Sequence, residues 1–237
     1  MSRENPQGRI TSGVPVDTAA LKTLEFIQRQ LPAWRDDPER RCAERERDLN
    51  SQLCKYLNVA AKQADFAMVH FHHEEPQSVL HSADSSANPV DSGWIEGRQY
   101  TKYDPLLIVE GKRLPTPGSG GEREYVSSLS GESPGGGIQR FKLGLHGRTL
   151  PMAAMLGYVQ ARPCADWFAE VNRWIDELAS SGDLLWSSID RLDKFSLDPG
   201  TRMSRCESEH SRTSGTSPTI RLAHLWVEMW SPAEATD

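Results

Sequence analysis

Tyr103-Asp-Pro-Leu-Leu-Ile-Val-Glu-Gly-Lys-Arg-Leu-Pro115 sets a short apolar run, Leu106 to Val109, between Pro105 and Pro115. A run of this length with β-branched residues at its end suits a strand covered on both faces. Glu110 and Lys112 follow, and at a period of two they leave the strand on one side. A carboxylate and an ammonium are thus expected to emerge together where the buried run meets solvent. Such a pair can hold a hard divalent ion through oxygen while the ammonium orients or deprotonates a water, or offsets charge on a phosphoryl group. It is also the composition of an ordinary surface salt bridge, so the other parts of a site must come from elsewhere in the chain.

Upstream, the pattern predicts two helices and a strand. Asp17 can cap a helix with Leu21, Leu24, Ile27 and Leu31 on one face, ended by Pro32. Leu49, Leu53 and Leu57 repeat at four residues in a second helix, and three residues back along that stripe lies Glu46. Glu46 is therefore either an inward acid in need of a partner or a first-turn acid favoured by the helix dipole. Residues 66–73, Phe-Ala-Met-Val-His-Phe-His-His, read as the first strand. Its His70, His72 and His73 lack a third ligand at a recognisable spacing and read as solvent-facing. Residues 78–100 are rich in Ser, Asn, Pro, Asp and Gly and contain Asp84 and Asp91.

Downstream, residues 116–137 form a Gly/Ser-rich loop, a candidate lid over substrate. Its glycines have neither the P-loop ending nor the Rossmann spacing, which excludes a nucleotide cradle. A short helix from Gly137 carries Gln139 and begins the densest basic patch, Arg140, Lys142, His146 and Arg148. Met152 to Gln160 is a buried strand placed next to the Glu110 strand. Residues 163–178 form an amphipathic helix whose Trp167, Val171, Trp174 and Leu178 are core or a dimer face. A polar connection, in which His210 and Arg212 are candidate phosphate contacts, leads to a closing strand at 219–230.

An acid on an early helix, a strand, an Asp, a strand carrying Glu-x-Lys, then helix, strand and helix resembles the PD-(D/E)XK nuclease superfamily, the restriction-endonuclease-like fold. The resemblance spans Glu44 to about Val159. It implies that an Asp and Glu110 bind Mg²⁺ or Mn²⁺, that Lys112 acts on the attacking water, that Glu46 completes the ligand set, and that Gln139 lies by the metal. Of the three Asp residues available, Asp104 is six residues before Glu110, about 20 Å along an extended strand, too far to share an ion. Asp84 and Asp91 both leave room for a hairpin that returns beside Glu110, and Asp84 is preferred because Val79 and Leu80 before it have strand character whereas Asp91 sits in a turn composition. The chain departs from the family pattern at Ser85 and Ser86, where apolar residues are the rule.

The whole chain bounds these expectations. Its 237 residues, 37% hydrophobic, allow a substantial core, divided here into an N-terminal arm at 1–16 and one domain at 17–237. A net charge of -6 gives no global attraction for nucleic acid, so a polyanion would be met by a local strip, a metal or a partner. Cys42, Cys54, Cys164 and Cys206 form no C-x-x-C pair and read as thiols of a reducing compartment, the cytoplasm. No apolar run reaches the roughly 18 residues of a membrane span, and the first residues lack a signal-peptide core. The expected fold is α/β, a central mixed sheet flanked by helices. The expected activity is metal-dependent hydrolysis of DNA, with Arg140, Lys142, Arg148, His210 and Arg212 on the substrate, and the family resemblance implies a role in bacterial defence. The alternative is an inactive nuclease-like subunit that binds or scaffolds within a larger complex, whether with a partner protein or as a homodimer.

Overall fold

The computed structural model describes residues 18–42, 45–64, 66–77, 82–95, 98–116, 123–127 and 135–230. The expected N-terminal arm, the Asp17 cap, Val79 and Leu80, and most of the Gly/Ser-rich loop lie outside the described residues.

The first helix, α1 (Thr18–Arg35), buries Leu24, Ile27 and Leu31 on the face their spacing defines. The expected stop at Pro32 is overturned, because the helix continues to Arg35. An interior proline costs about 3 kcal/mol, whereas burying an aromatic of roughly 200 Å² contributes about 5 kcal/mol. Trp34, 1% exposed, supplies that burial, and Arg35 ties the last turn to Thr201 O at 2.7 Å. The second helix, α2 (Glu46–Gln63), buries Leu49, Leu53 and Leu57 as expected.

The strands are β1 (Val69–Pro76), β2 (Ser82–Pro89), β3 (Gly93–Ile95), β4 (Arg98–Tyr100), β5 (Leu107–Leu114), β6 (Met152–Val159), β7 (Asp193–Asp198), β8 (Met203–Ser211) and β9 (Thr219–Glu228). Seven form one sheet in the order β1-β2-β5-β6-β9-β8-β7, while β3 and β4 pair separately. The pairs β1/β2, β2/β5, β9/β8 and β8/β7 are antiparallel, and β5/β6 and β6/β9 are parallel. Parallel neighbours need crossovers; α3 (Gly137–Lys142) lies in the first and α4 (Cys164–Ser180) in the second. The chain is thus α/β, with a central mixed sheet between α1 and α2 on one face and α3 and α4 on the other. Trp167, Val171, Trp174 and Ile175 of α4 pack into the core on their face, so the stripe is core. Among the described residues no helix is long and apolar enough to cross a membrane.

Two parts of the sheet carry little apolar signal. β2 reads Ser-Ala-Asp-Ser-Ser-Ala-Asn-Pro yet lies between β1 and β5, with Ser86 fully buried. The Ser86 hydroxyl is satisfied within the sheet by Asn88 Oδ1 at 2.7 Å and Glu75 Oε2 at 3.1 Å, so hydroxyls stand where apolar side chains were expected. The polar connection before the closing strand contains β8, whose inward Ser204, Cys206, Ser208 and His210 alternate at a period of two but are small or polar.

Candidate functional site

The apolar run Leu106 to Val109 enters β5 as expected, but the strand does not end at Glu110. Its parallel partner β6 continues to Val159 opposite Leu114, and this cover keeps Glu110 at 0% and Lys112 at 4% exposure. The acid–ammonium pair is therefore inside the protein and not at a solvent boundary. On the other side of β5, the ladder with β2 stops at Ser85 opposite Val109. Asp84 is the next residue outward, and its Oδ2 accepts the Gly111 N–H at 2.9 Å. The side chain takes over from the ladder, which holds its carboxylate beside Glu110.

From the first turn of α2, Glu46 Oε1 accepts from Lys112 Nζ at 2.6 Å. The same ammonium lies 3.2 Å from Glu110 Oε1 and 3.9 Å from Asp84 Oδ2. Three carboxylates from three elements thus surround one cation. Burial would lower the Lys112 pKa, but Glu110, Asp84 and Glu46 outweigh it and raise it, so Lys112 is charged. Burial would raise the Glu110 pKa, but Lys112, His146 and Arg140 hold it below the usual carboxylate range. Asp84 goes the other way: burial, and then the Glu110 charge, push it up to about 8. The two neighbouring carboxylates are thereby split, one ionised and one protonated near neutrality.

The far side of Glu110 is closed from α3 and the turn that follows it. Arg140 Nη1 donates to Glu110 Oε1 at 2.6 Å, and His146 Nδ1 faces Glu110 Oε2 at 3.1 Å. Both of these last atoms are buried and neither makes a hydrogen bond of acceptable geometry. Beneath the site, Gly111 accommodates α2: a Cβ there would stand 2.1 Å from Asn50 Oδ1, which accepts from the fully buried Tyr158 hydroxyl at 2.6 Å. Asn50 and Tyr158 are supporting residues that sequence reasoning passed over. Asn50 lies one helical turn after Glu46, and a search for polar residues on that face would have found it.

Among the described residues no three His, Cys, Asp or Glu side chains form a ready-made metal cage. The donor chemistry nevertheless fits a hard divalent ion. Asp84, Glu110 and Glu46 offer only carboxylate oxygens, they already converge on a cation, and Glu110 Oε2 is a buried oxygen without a hydrogen bond.

The remaining candidates divide. Gln139 precedes Arg140 on α3, half-buried, with its backbone N–H on Val126 O at 2.9 Å. Arg148 is exposed. Asp104 caps the turn before β5 through the Thr101 N–H at 2.8 Å, and Asp91 is exposed outside the site. His70 and His72 are exposed and His73 half-buried.

Three basic residues expected on substrate are placed otherwise. Lys142, 1% exposed, donates to Asp190, and its ammonium lies 5.1 Å from the Trp186 ring centroid. His210, fully buried, has Nδ1 on the same Asp190 carboxylate at 2.8 Å. Arg212 is turned onto Gly147 O at 2.8 Å. Lys142 and His210 thus belong to a second buried cluster, because a buried ammonium needs a counter-charge and a buried imidazole needs hydrogen-bond partners, and Asp190 serves both. From His210 Nε2 the cluster continues to Ser208 Oγ at 2.7 Å and His224 Nε2 at 2.8 Å. His224 Nδ1 meets the Tyr125 hydroxyl at 2.8 Å, and Tyr125 accepts from Trp226 Nε1 at 2.8 Å. With both imidazoles neutral, the partners fix one direction: Trp226 donates to Tyr125, Tyr125 to His224, His224 to Ser208, Ser208 to His210 and His210 to Asp190. Burial would raise the Asp190 pKa, but His210 and Lys142 hold it at about 2.

Comparison with protein-family models, with curated proteins and with solved structures finds no match to this chain, so its family is not given by similarity.

Proposed function

We propose that the chain is a divalent-metal-dependent nuclease of the PD-(D/E)XK kind that hydrolyses DNA phosphodiester bonds. One observation carries this: Glu46, Asp84 and Glu110, brought from a helix and two strands, all lie within 3.9 Å of Lys112 Nζ. The antiparallel β1-β2-β5 hairpins followed by the parallel β5/β6 crossover supply the order of elements that the resemblance calls for.

Asp84, Glu110 and Glu46 would hold Mg²⁺ or Mn²⁺. The bound ion supplies an acidified water and charge stabilisation at the phosphoryl group. Lys112, kept charged by its three carboxylates, places a fixed positive charge beside the phosphorus and offsets the charge that develops there. Arg140 of α3 reaches Glu110 from the residue after Gln139, and exposed Arg148 would meet the backbone of the substrate. A net charge of -6 leaves this local strip to hold the polyanion. A place in bacterial defence is part of the same proposal, through the resemblance.

The second reading, an inactive nuclease-like subunit that binds or scaffolds, is favoured by the closure of Glu110 under Arg140, His146 and Lys112. Supercoiled plasmid and linear single- and double-stranded DNA incubated with Mg²⁺ or Mn²⁺ separate the two. Cutting that is lost in Glu110→Gln, in Lys112→Met and in EDTA supports the nuclease. A folded wild type that cuts nothing under either metal supports the binding subunit.

A further inference from the structure

We propose that His70 and His72 of β1 form a two-imidazole chelate for a borderline divalent ion, Ni²⁺, Cu²⁺ or Zn²⁺, apart from the carboxylates around Lys112. The chelate is independent of the nuclease reading.

The two histidines stand at i and i+2 of one strand, so they leave it on the same side. Both are exposed, while Val69 and Phe71 on the opposite side are buried in the core. Their ring centroids lie 4.7 Å apart. An imidazole nitrogen ligates at about 2.0–2.1 Å, which puts its ring centroid roughly 3.2 Å from the ion. Two rings on one ion, about 90–109° from each other, therefore have centroids about 4.5–5.2 Å apart. The observed spacing falls inside that interval. The rings meet edge to face at 73°, and because both are exposed each can turn about its own side-chain bonds to aim a nitrogen at the ion.

The backbone that carries the pair is held. Phe71, between the two histidines, is 3% exposed, and the Asn58 side chain of α2 accepts from its N–H and donates to its C=O, both at 2.8 Å. β2 pairs with the same stretch, His70 opposite Asn88 and His72 opposite Ser86. Ligands on a fixed strand lose little freedom on binding. The surroundings also favour a cation: Glu75 Oε2 accepts from the Ser86 hydroxyl at 3.1 Å, which brings a carboxylate to the position opposite His72. Burial, and then His72 and Lys62, hold the His70 imidazole below its ordinary 6.5, so its lone pair is available at neutral pH. Imidazole suits the later first-row ions, whereas carboxylates suit Mg²⁺ and Mn²⁺. The two sites thus select different metals.

The test is Ni²⁺ binding to the untagged full chain by calorimetry in excess Mg²⁺, comparing wild type with His70→Ala, His72→Ala, His73→Ala and Glu110→Gln. His70→Ala and His72→Ala should each bind Ni²⁺ more than about tenfold more weakly, while His73→Ala and Glu110→Gln bind it as wild type does. In the wild type, the imidazole ¹⁵N resonances of His70 and His72 should shift together on addition of Zn²⁺, a readout that needs no variant to fold. Undiminished Ni²⁺ binding by either His70→Ala or His72→Ala, loss of binding in folded Glu110→Gln, unmoved His70 and His72 resonances, or a wild type that binds no Ni²⁺ each overturns the chelate and leaves the nuclease reading standing.

Discussion

Lys112 Nζ lies 2.6 Å from Glu46 Oε1, although 66 positions separate the two residues in the chain. One end of this pair is set by a helix stripe and the other by the pleat of β5, and the sheet–helix packing brings them together. The Lys112 side chain is 5% exposed and that of Glu46 24%, so the ammonium end of the pair is buried, and removing a partner from a buried charge is more costly than at a surface.

Removing the ammonium should therefore cost stability as well as activity. Lys112→Met leaves Glu110 enclosed without one of its cations, at about 3 kcal/mol, measured by urea denaturation. Adding Glu46→Gln to Lys112→Met should cost less than the sum of the two single changes. Strict additivity would mean that the pair does not interact in solution.

The site should show its function in its pH dependence. The folded chain keeps the Asp84 proton up to about pH 8, while the unfolded chain loses it near 3.8. Between these values the native state binds more protons, so Asp84 makes stability fall as pH rises. Asp84→Asn should consequently be more stable than wild type at pH 8 and should bind Mn²⁺ more weakly. Wild-type Mn²⁺ affinity should rise toward pH 8 with release of a proton, seen by calorimetry in buffers of different ionisation enthalpy.

For the second buried cluster the sign is reversed. Burial, and then His210, lower the His224 pKa well below 6.5, and burial also lowers that of His210. Below pH 6.5 the unfolded chain takes up protons that the folded chain refuses, so these residues make stability fall as pH falls. NMR should find His210 protonated on Nδ1 and His224 on Nε2, and the opposite tautomers would contradict the direction of the hydrogen-bond chain. Asp190→Asn should cost about 3–5 kcal/mol by leaving Lys142 buried without its counter-charge.

Gly111 should tolerate no side chain. A Cβ placed 2.1 Å from Asn50 Oδ1 and 3.0 Å from Tyr158 Cε2 has to displace both. Gly111→Ala should lower stability by about 2 kcal/mol or more, and Asn50→Ala in the same chain should restore part of it. A thermal midpoint unchanged in Gly111→Ala would show that α2 packs farther from β5 than described.

The sequence by itself determined the elements whose residues carry a period: the Leu49, Leu53, Leu57 stripe with Glu46 in line, the buried runs of β5 and β6, the Trp-lined face of α4, and the closing strand β9. It also determined the choice of Asp84 over Asp104, because the length of an extended strand sets how far two carboxylates stand apart. Only the tertiary structure decided that β2 and β8 are strands inside the sheet. Their hydroxyl, thiol and imidazole side chains are satisfied by partners remote in sequence or on neighbouring strands, and no local hydrophobicity announces that. It likewise decided which cations belong to the site. Arg140 and Lys142 are two residues apart on one short helix, yet Arg140 points to Glu110 and Lys142 to Asp190. A basic cluster read along the chain is a sum of charges, whereas each buried charge is committed to the one carboxylate that folding puts within its reach.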